Sequence, residues 1–220
     1  MDWISSLLKL RCSFCGTSPS ADQQACDICA WHLAETELSN AVVTRVGELP
    51  VVSVGNYEGW LQSLILSNKQ GPATPVVREL ARLLSQKTPP DWRKLPIVWI
   101  PGSQYGEVHL VERLAFELKQ HGQKLSSVPL LKRRISRLKT PQKLLDETQR
   151  RGRVIEKLYR VRKQLRVSTR QTMGQEVLLL DDVVTTGSTL LGCKKLLEER
   201  LGLKVQGALS IAYTVKKNAF

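Results

Sequence analysis

Apolar positions along the chain follow two rhythms. Short β-branched or leucine-rich runs predict strands, and the stretches between them carry apolar residues at three- and four-residue spacing, which predicts amphipathic helices. A helix is expected around 31–40. Residues 50–57 (PVVSVGNY) predict a strand, and 59–67 and 75–86 predict helices, the second with Val76, Leu80, Leu83 and Leu84 at helical spacing. Pro89 and Pro90 then break the chain. Residues 97–100 (IVWI) form a wholly apolar run, the pattern of a strand covered on both faces in a parallel sheet. A helix is expected over 108–121, a strand over 128–131, and helix again over 141–151 and part of 153–164. Residues 176–180 (EVLLL) read as the clearest buried strand, 190–201 as a helix ended by Gly202, and 205–213 as a last strand. Strands alternating with helices imply an α/β fold with an open, mainly parallel sheet and right-handed crossovers.

The chain has 220 residues, with hydrophobic residues at 42% and charged residues at 24%. That composition builds a core and excludes a disordered or low-complexity chain. No internal repeat is visible. Nothing approaches 18 consecutive apolar residues, and the first ten residues carry Asp2 and Lys9 around a short apolar run without a cleavage pattern. The expectation is a cytoplasmic protein with no transmembrane segment, in which cysteines act as ligands or catalysts rather than as disulfides.

Five cysteines are present, and four of them form two CxxC pairs, Cys12/Cys15 and Cys26/Cys29, with ten residues between the pairs. Two such knuckles supply a closed tetrahedral site for structural Zn2+. Gly16 helps the chain turn back after the first knuckle. The short polar stretch between the pairs cannot build a core, so the metal would supply most of its folding energy. A redox centre would need one CxxC beside a βαβ unit, which is not the pattern here. His32 is a reserve ligand, and Cys193 reads as a small buried hydrophobe. The chain divides into a zinc-binding element with a linking helix at 1–45 and a larger domain at 46–220.

Charge sharpens the picture because it is localised. Lys and Arg number 33 against 20 Asp and Glu, a net +13. Residues 132–170 hold fifteen of the basic residues and three of the acids, so one segment of 39 residues carries an excess of twelve and the rest is nearly neutral. Such a segment either forms a solvated helical face or binds a polyanion. Its density favours phosphate contact, with Lys132, Arg133, Arg134, Arg137, Arg150, Arg151 and Arg153 as candidates. Tyr159 is its single aromatic residue, so backbone contact is expected rather than base stacking.

The densest chemistry lies at 177–189 (VLLLDDVVTTGST). A buried strand delivers Asp181 and Asp182 to the carboxyl edge of a parallel sheet, where open α/β sheets bind ligands. Thr185, Thr186, Ser188 and Thr189 offer hydroxyls, and Gly187 lets backbone amides turn inward. The following helix adds a positive N-terminus, so the loop suits a phosphate monoester. Carboxylates beside it would repel that phosphate, so they should face sugar hydroxyls or hydrated Mg2+. A capped helix after a core strand would need only one of these features. The Gly-Lys-Ser/Thr end of a P-loop is absent.

These residues closely resemble the type I phosphoribosyltransferase signature for 5-phosphoribosyl 1-pyrophosphate (PRPP). The resemblance implies that Asp181 and Asp182 contact ribose hydroxyls, with Val183 between them and the loop, and that Thr185, Thr186, Gly187, Ser188 and Thr189 hold the 5′-phosphate. Together with the four-cysteine element, the chain resembles the ComF/GntX family, whose competence members are required for DNA uptake in natural transformation. Local matches are Tyr57-Glu58-Gly59, Lys69-Gln70-Gly71, the strand and proline at 97–101, and Thr140-Pro141-Gln142 with Arg150 downstream. The chain departs from the family in having Trp99-Ile100-Pro101 for Pro-Val-Pro, Tyr105-Gly106-Glu107-Val108 for Arg-Gly-Phe-Asn, and Arg153 where an Asn is usual. Those departures fall where pyrophosphate would be handled, with Lys69, Pro101 and Gly102 as the remaining candidates on that side. PRPP binding with Mg2+ is therefore better supported than transferase turnover, and no side chain stands out as a general base. Arg113 is a further cation of that region, and His109 reads as structural.

The resemblance implies a phosphoribosyltransferase type I sheet carrying a small zinc element. It also implies a role in handling single-stranded DNA during natural transformation, alongside other DNA-uptake or helicase proteins. Two rivals remain open: a metabolic phosphoribosyltransferase transferring ribose 5-phosphate from PRPP to a small base, and a module that senses PRPP without chemistry.

Overall fold

The computed structural model describes residues 12–16, 25–69, 74–102, 109–124, 130–133, 159–161 and 175–214. Among them, α1 (Asp27–Leu38) follows the second cysteine knuckle, and β1 (Val42–Val46) and β2 (Leu49–Asn56) form a hairpin. Helices α2 (Gly59–Asn68) and α3 (Thr74–Lys87) lead through a 3-10 turn at Pro90–Lys94 to β3 (Ile97–Trp99) and α4 (Leu110–Gln120). Two short strands, β4 (Leu131–Arg133) and β5 (Tyr159–Val161), precede β6 (Glu176–Val184), α5 (Ser188–Leu201) and β7 (Lys204–Tyr213). The main sheet has the order β1-β2-β7-β6-β3, parallel throughout except for the antiparallel β1 edge. The expected α/β class and mainly parallel sheet are present.

The apolar run of β6 is explained by its position between β7 and β3, with core on both faces. Its alternation sends Leu178 and Leu180 to one face and Val177 and Leu179 to the other. Helices α2, α3 and α4 cover the first face, and α5 covers the second. Cys12, Phe14 and Cys29 join the first core. Arg82 of α3 fastens α1 above that face, reaching Glu37 at 2.6 and 2.9 Å and Glu79 at 2.6 Å.

Several boundaries differ from the sequence pattern. β1 is absent from it, because Val42–Val46 buries only its last residue. Its register with β2 leaves a two-residue Gly47-Glu48 loop. The helix expected from 108 starts at Leu110, with His109 as its N-cap. Helix expected within 153–164 is instead strand at 159–161, where Tyr159 is buried and Arg160 exposed. β4 and β5 pair antiparallel, Lys132 opposite Arg160, outside the main sheet. The helix expected over 141–151 lies outside the described residues.

Candidate phosphate-sugar and metal sites

β3 and β6 are parallel neighbours whose following helices lie on opposite faces, α4 on one and α5 on the other. That divergence opens a crevice at their carboxyl ends. The Ile100 amide bonds the Leu180 carbonyl at 2.9 Å, which sets Pro101 and Gly102 beside Asp181. At Gly102 a Cβ would lie 2.8 Å from the His109 ring. Glycine is needed for this approach, and His109 packs rather than facing the crevice alone.

Asp181 and Asp182 stand in succession near the end of β6, which runs on to Val184, each carboxylate accepting from the next backbone amide: Asp182 N–H to Asp181 Oδ1 at 3.0 Å and Val183 N–H to Asp182 Oδ1 at 2.8 Å. Withdrawal from water and the charge of Asp182 push the Asp181 carboxyl well above its ordinary value, against smaller opposing pulls from the Asp182 amide and then from Lys69. Asp181 keeps some exposed surface, yet the protein crowded round its carboxyl makes ionisation costly. Lys69, just past the end of α2, places Nζ 3.4 Å from Asp182 Oδ2. A cation and two carboxylates therefore meet at the carboxyl end of β6, with Pro101-Gly102 following the neighbouring β3.

The loop after β6 turns into α5 at Gly187, which is left-handed at φ 70°. Its missing side chain also matters sterically, since a Cβ there would sit 2.0 Å from Val46 Cγ1. The β1–β2 hairpin thus presses on the loop and holds it. Gly187 gives α5 no side-chain cap of its own and no acid lies in the first turn, while the Ser188 amide donates to Thr186 Oγ1 at 3.4 Å; the positive end of the helix lies at the hollow lined by Asp181, Val183, Thr185, Thr186, Ser188 and Thr189. Thr186 Oγ1 and Ser188 Oγ lie 2.8 Å apart and share one hydrogen bond. The chemistry of this arrangement suits an anion at the loop and hydroxyls or a hydrated cation at the acids.

The cysteines of the two knuckles converge: all four sulfurs lie within 4.8 Å of one another, with Cys15 and Cys26 at 3.7 Å. Tetrahedral thiolate ligation with bonds of about 2.3 Å requires sulfurs about 3.8 Å apart, so the cluster fits a metal such as zinc. Burial raises the Cys12 thiol, but hydrogen bonds from the amides of Cys26, Cys15 and Phe14 outweigh it and leave the thiol below its ordinary value. Burial pushes Cys29 up to about 12 despite the donor from Trp60. A bound dication would reverse that preference by taking up thiolate charge. His32 stacks on Trp60 instead of joining the sulfurs, with centroids 5.3 Å apart and planes at 14°.

Of the basic candidates, Lys132 and Arg133 belong to β4. Arg134, Arg137, Arg150, Arg151 and Arg153 lie outside the described residues. Arg113 is turned to Thr74, with Nη2 2.7 Å from its hydroxyl. Cys193 is fully buried, as its apolar reading implies. Sequence reasoning missed the Val46 wedge, although the β-branched run before Gly47-Glu48 is a hairpin signal. It also missed Trp60 at the sulfurs, for which no local signal exists. No helix among the described residues is long and apolar enough to cross a membrane. No protein-family model matches the chain, and comparison with curated proteins finds no significant match.

Proposed function

We propose that this chain is a ComF/GntX-type protein that handles single-stranded DNA during natural transformation, with a PRPP pocket in a phosphoribosyltransferase type I domain and structural zinc in residues 1–45. The observation that carries the reading is the meeting of Asp181, Asp182 and Lys69 near the hollow of the Thr185–Thr189 segment, where α5 begins after Gly187 with no acid in its first turn. The 5′-phosphate sits on the loop amides and hydroxyls, where it accepts hydrogen bonds without a nearby acid in the helix. The ribose hydroxyls meet the Asp pair. Asp181 and Asp182 accept hydrogen bonds from those hydroxyls. Lys69 faces the pyrophosphate side, and Mg2+ bound with PRPP supplies charge neutralisation there.

The polyanion reading rests on the excess of twelve positive charges in 132–170. Its two described parts, β4 and β5, pair so that Lys132 and Arg160 are opposite each other. Opposed cations cost stability unless counterions or phosphates lie between them. Cytoplasmic placement and DNA-uptake or helicase partners follow from the same family reading.

Gel retardation of single-stranded oligonucleotides by zinc-loaded full-length protein tests the function. Retardation at low salt, weakening steeply as salt rises and lost on charge reversal across 132–170, is expected. No retardation, or retardation indifferent to the charge reversal, removes the DNA role. Rapid pyrophosphate release from PRPP with a nucleobase would establish the metabolic transferase in its place.

A further inference from the structure

Trp60 belongs to the first turn of α2, well outside the two cysteine knuckles, yet its indole reaches them. Its Nε1 donates to Cys29 Sγ at 3.4 Å. An indole N–H is a donor only, and a partly buried one needs an acceptor. Cys29 is 1% exposed, so water does not compete for that sulfur. The Trp60 ring is also fixed from the side: His32 of α1 stacks on it, and Trp31 meets His32 edge-on with centroids 4.8 Å apart. One ring therefore touches α1 through His32 and the sulfur cluster through Cys29.

We infer that Trp60 is a positioning residue of the metal centre, its N–H···S hydrogen bond holding the Cys29 thiolate in ligating orientation and drawing off part of its charge. The inference rests on the reading of the four cysteines as a metal site. Four thiolates around one dication leave a net charge of about −2, and Cys29 carries its share where solvent cannot help. A fixed donor at that sulfur compensates locally, as outer-shell partners do at other metal sites. The same bond ties the centre to α2, so the knuckles are held to the sheet domain by a polar contact as well as by apolar packing.

The test uses the full chain. Trp60→Phe keeps the aromatic ring beside His32 and deletes the donor, while Trp31→Phe, which keeps an aromatic ring against His32 at a position 59% exposed, serves as control. Zn2+ affinity is read by competition with a chromophoric chelator, and the thiolate-to-metal charge-transfer band is read after Co2+ substitution. Trp60→Phe is expected to weaken Zn2+ binding about 10- to 100-fold and to move the Co2+ band to lower energy, with Trp31→Phe unchanged in both. If Trp60→Phe fails to fold, the unsubstituted chain loaded with 113Cd and 15N-labelled at tryptophan decides. Scalar coupling between cadmium and one indole proton supports the hydrogen bond, and its absence overturns it. Wild-type binding of one metal ion with Trp60→Phe within twofold of it overturns this inference alone, whereas a wild-type chain that takes up no metal overturns the metal site itself.

Discussion

Gly187→Ala probes the support of the phosphate loop at its tightest point. The new methyl meets two penalties. Alanine at φ 70° costs about 1–2 kcal/mol, and a Cβ placed 2.0 Å from Val46 Cγ1 forces overpacking worth about 1–3 kcal/mol. The sum centres on about 3.5 kcal/mol, which for a chain of this size lowers Tm by about 7–14 °C. Val46→Ala alone removes two buried methyl groups and costs about 2 kcal/mol. The double variant should then cost less than the sum of the single ones by at least about 1 kcal/mol, because the smaller residue 46 gives the new methyl room. Relief stays partial, since Val46 Cβ itself lies 2.8 Å from the added atom. Thermal unfolding of the four chains, with metal content held equal, measures the coupling. Additivity within about 0.5 kcal/mol would refute the claim that the β1–β2 hairpin braces the loop.

Asp181 makes the apo protein less stable as pH rises: its folded-state pKa lies above the unfolded one, so the native state binds more protons between the two, and stability present at low pH is lost through that window. Asp181→Asn should flatten this decline in pH-dependent thermal melts and leave the protein more stable at neutral pH; a steeper decline would contradict the burial argument. Lys69→Met should change stability by less than about 1 kcal/mol, the lysine being half-exposed. It should weaken PRPP binding about tenfold at low salt, with calorimetry as the check and unchanged affinity as the contrary result. Chelating the metal should release one ion per chain and lower Tm, because Cys12 and Cys29 belong to the main core; a stripped chain melting with the loaded one would show that the cysteines do not hold a folding metal.

How much of this was legible in the sequence depended on the range of the interactions. β6 and its loop could be read directly, because an unbroken apolar run, two acids and a Thr-Thr-Gly-Ser-Thr turn are consecutive and each residue type has a local reason to be there. The CxxC pairs were equally plain, since ligand spacing is a local property. β1 escaped because its alternate residues are exposed and only Val46 is buried, leaving little apolar signal. Tyr159–Val161 lies in a stretch expected to be partly helical, because a three-residue strand is too short to leave an alternating pattern and depends on pairing with Leu131–Arg133. Lys69 was picked out as a cation for pyrophosphate, but its approach to Asp182 is a product of the fold, as is Trp60 reaching Cys29. Contacts between residues distant in sequence leave no periodicity behind.

The central claim is that the Asp181–Thr189 edge binds a phosphorylated sugar. Titration calorimetry of zinc-loaded full-length protein with PRPP and Mg2+, repeated on Asp181→Ala with Asp182→Ala, tests it most directly. Saturable binding at one site per chain, abolished in the double variant while its fold and metal content stay intact, is the predicted result. Absence of binding by the wild-type chain, or equal binding by the double variant, would contradict it.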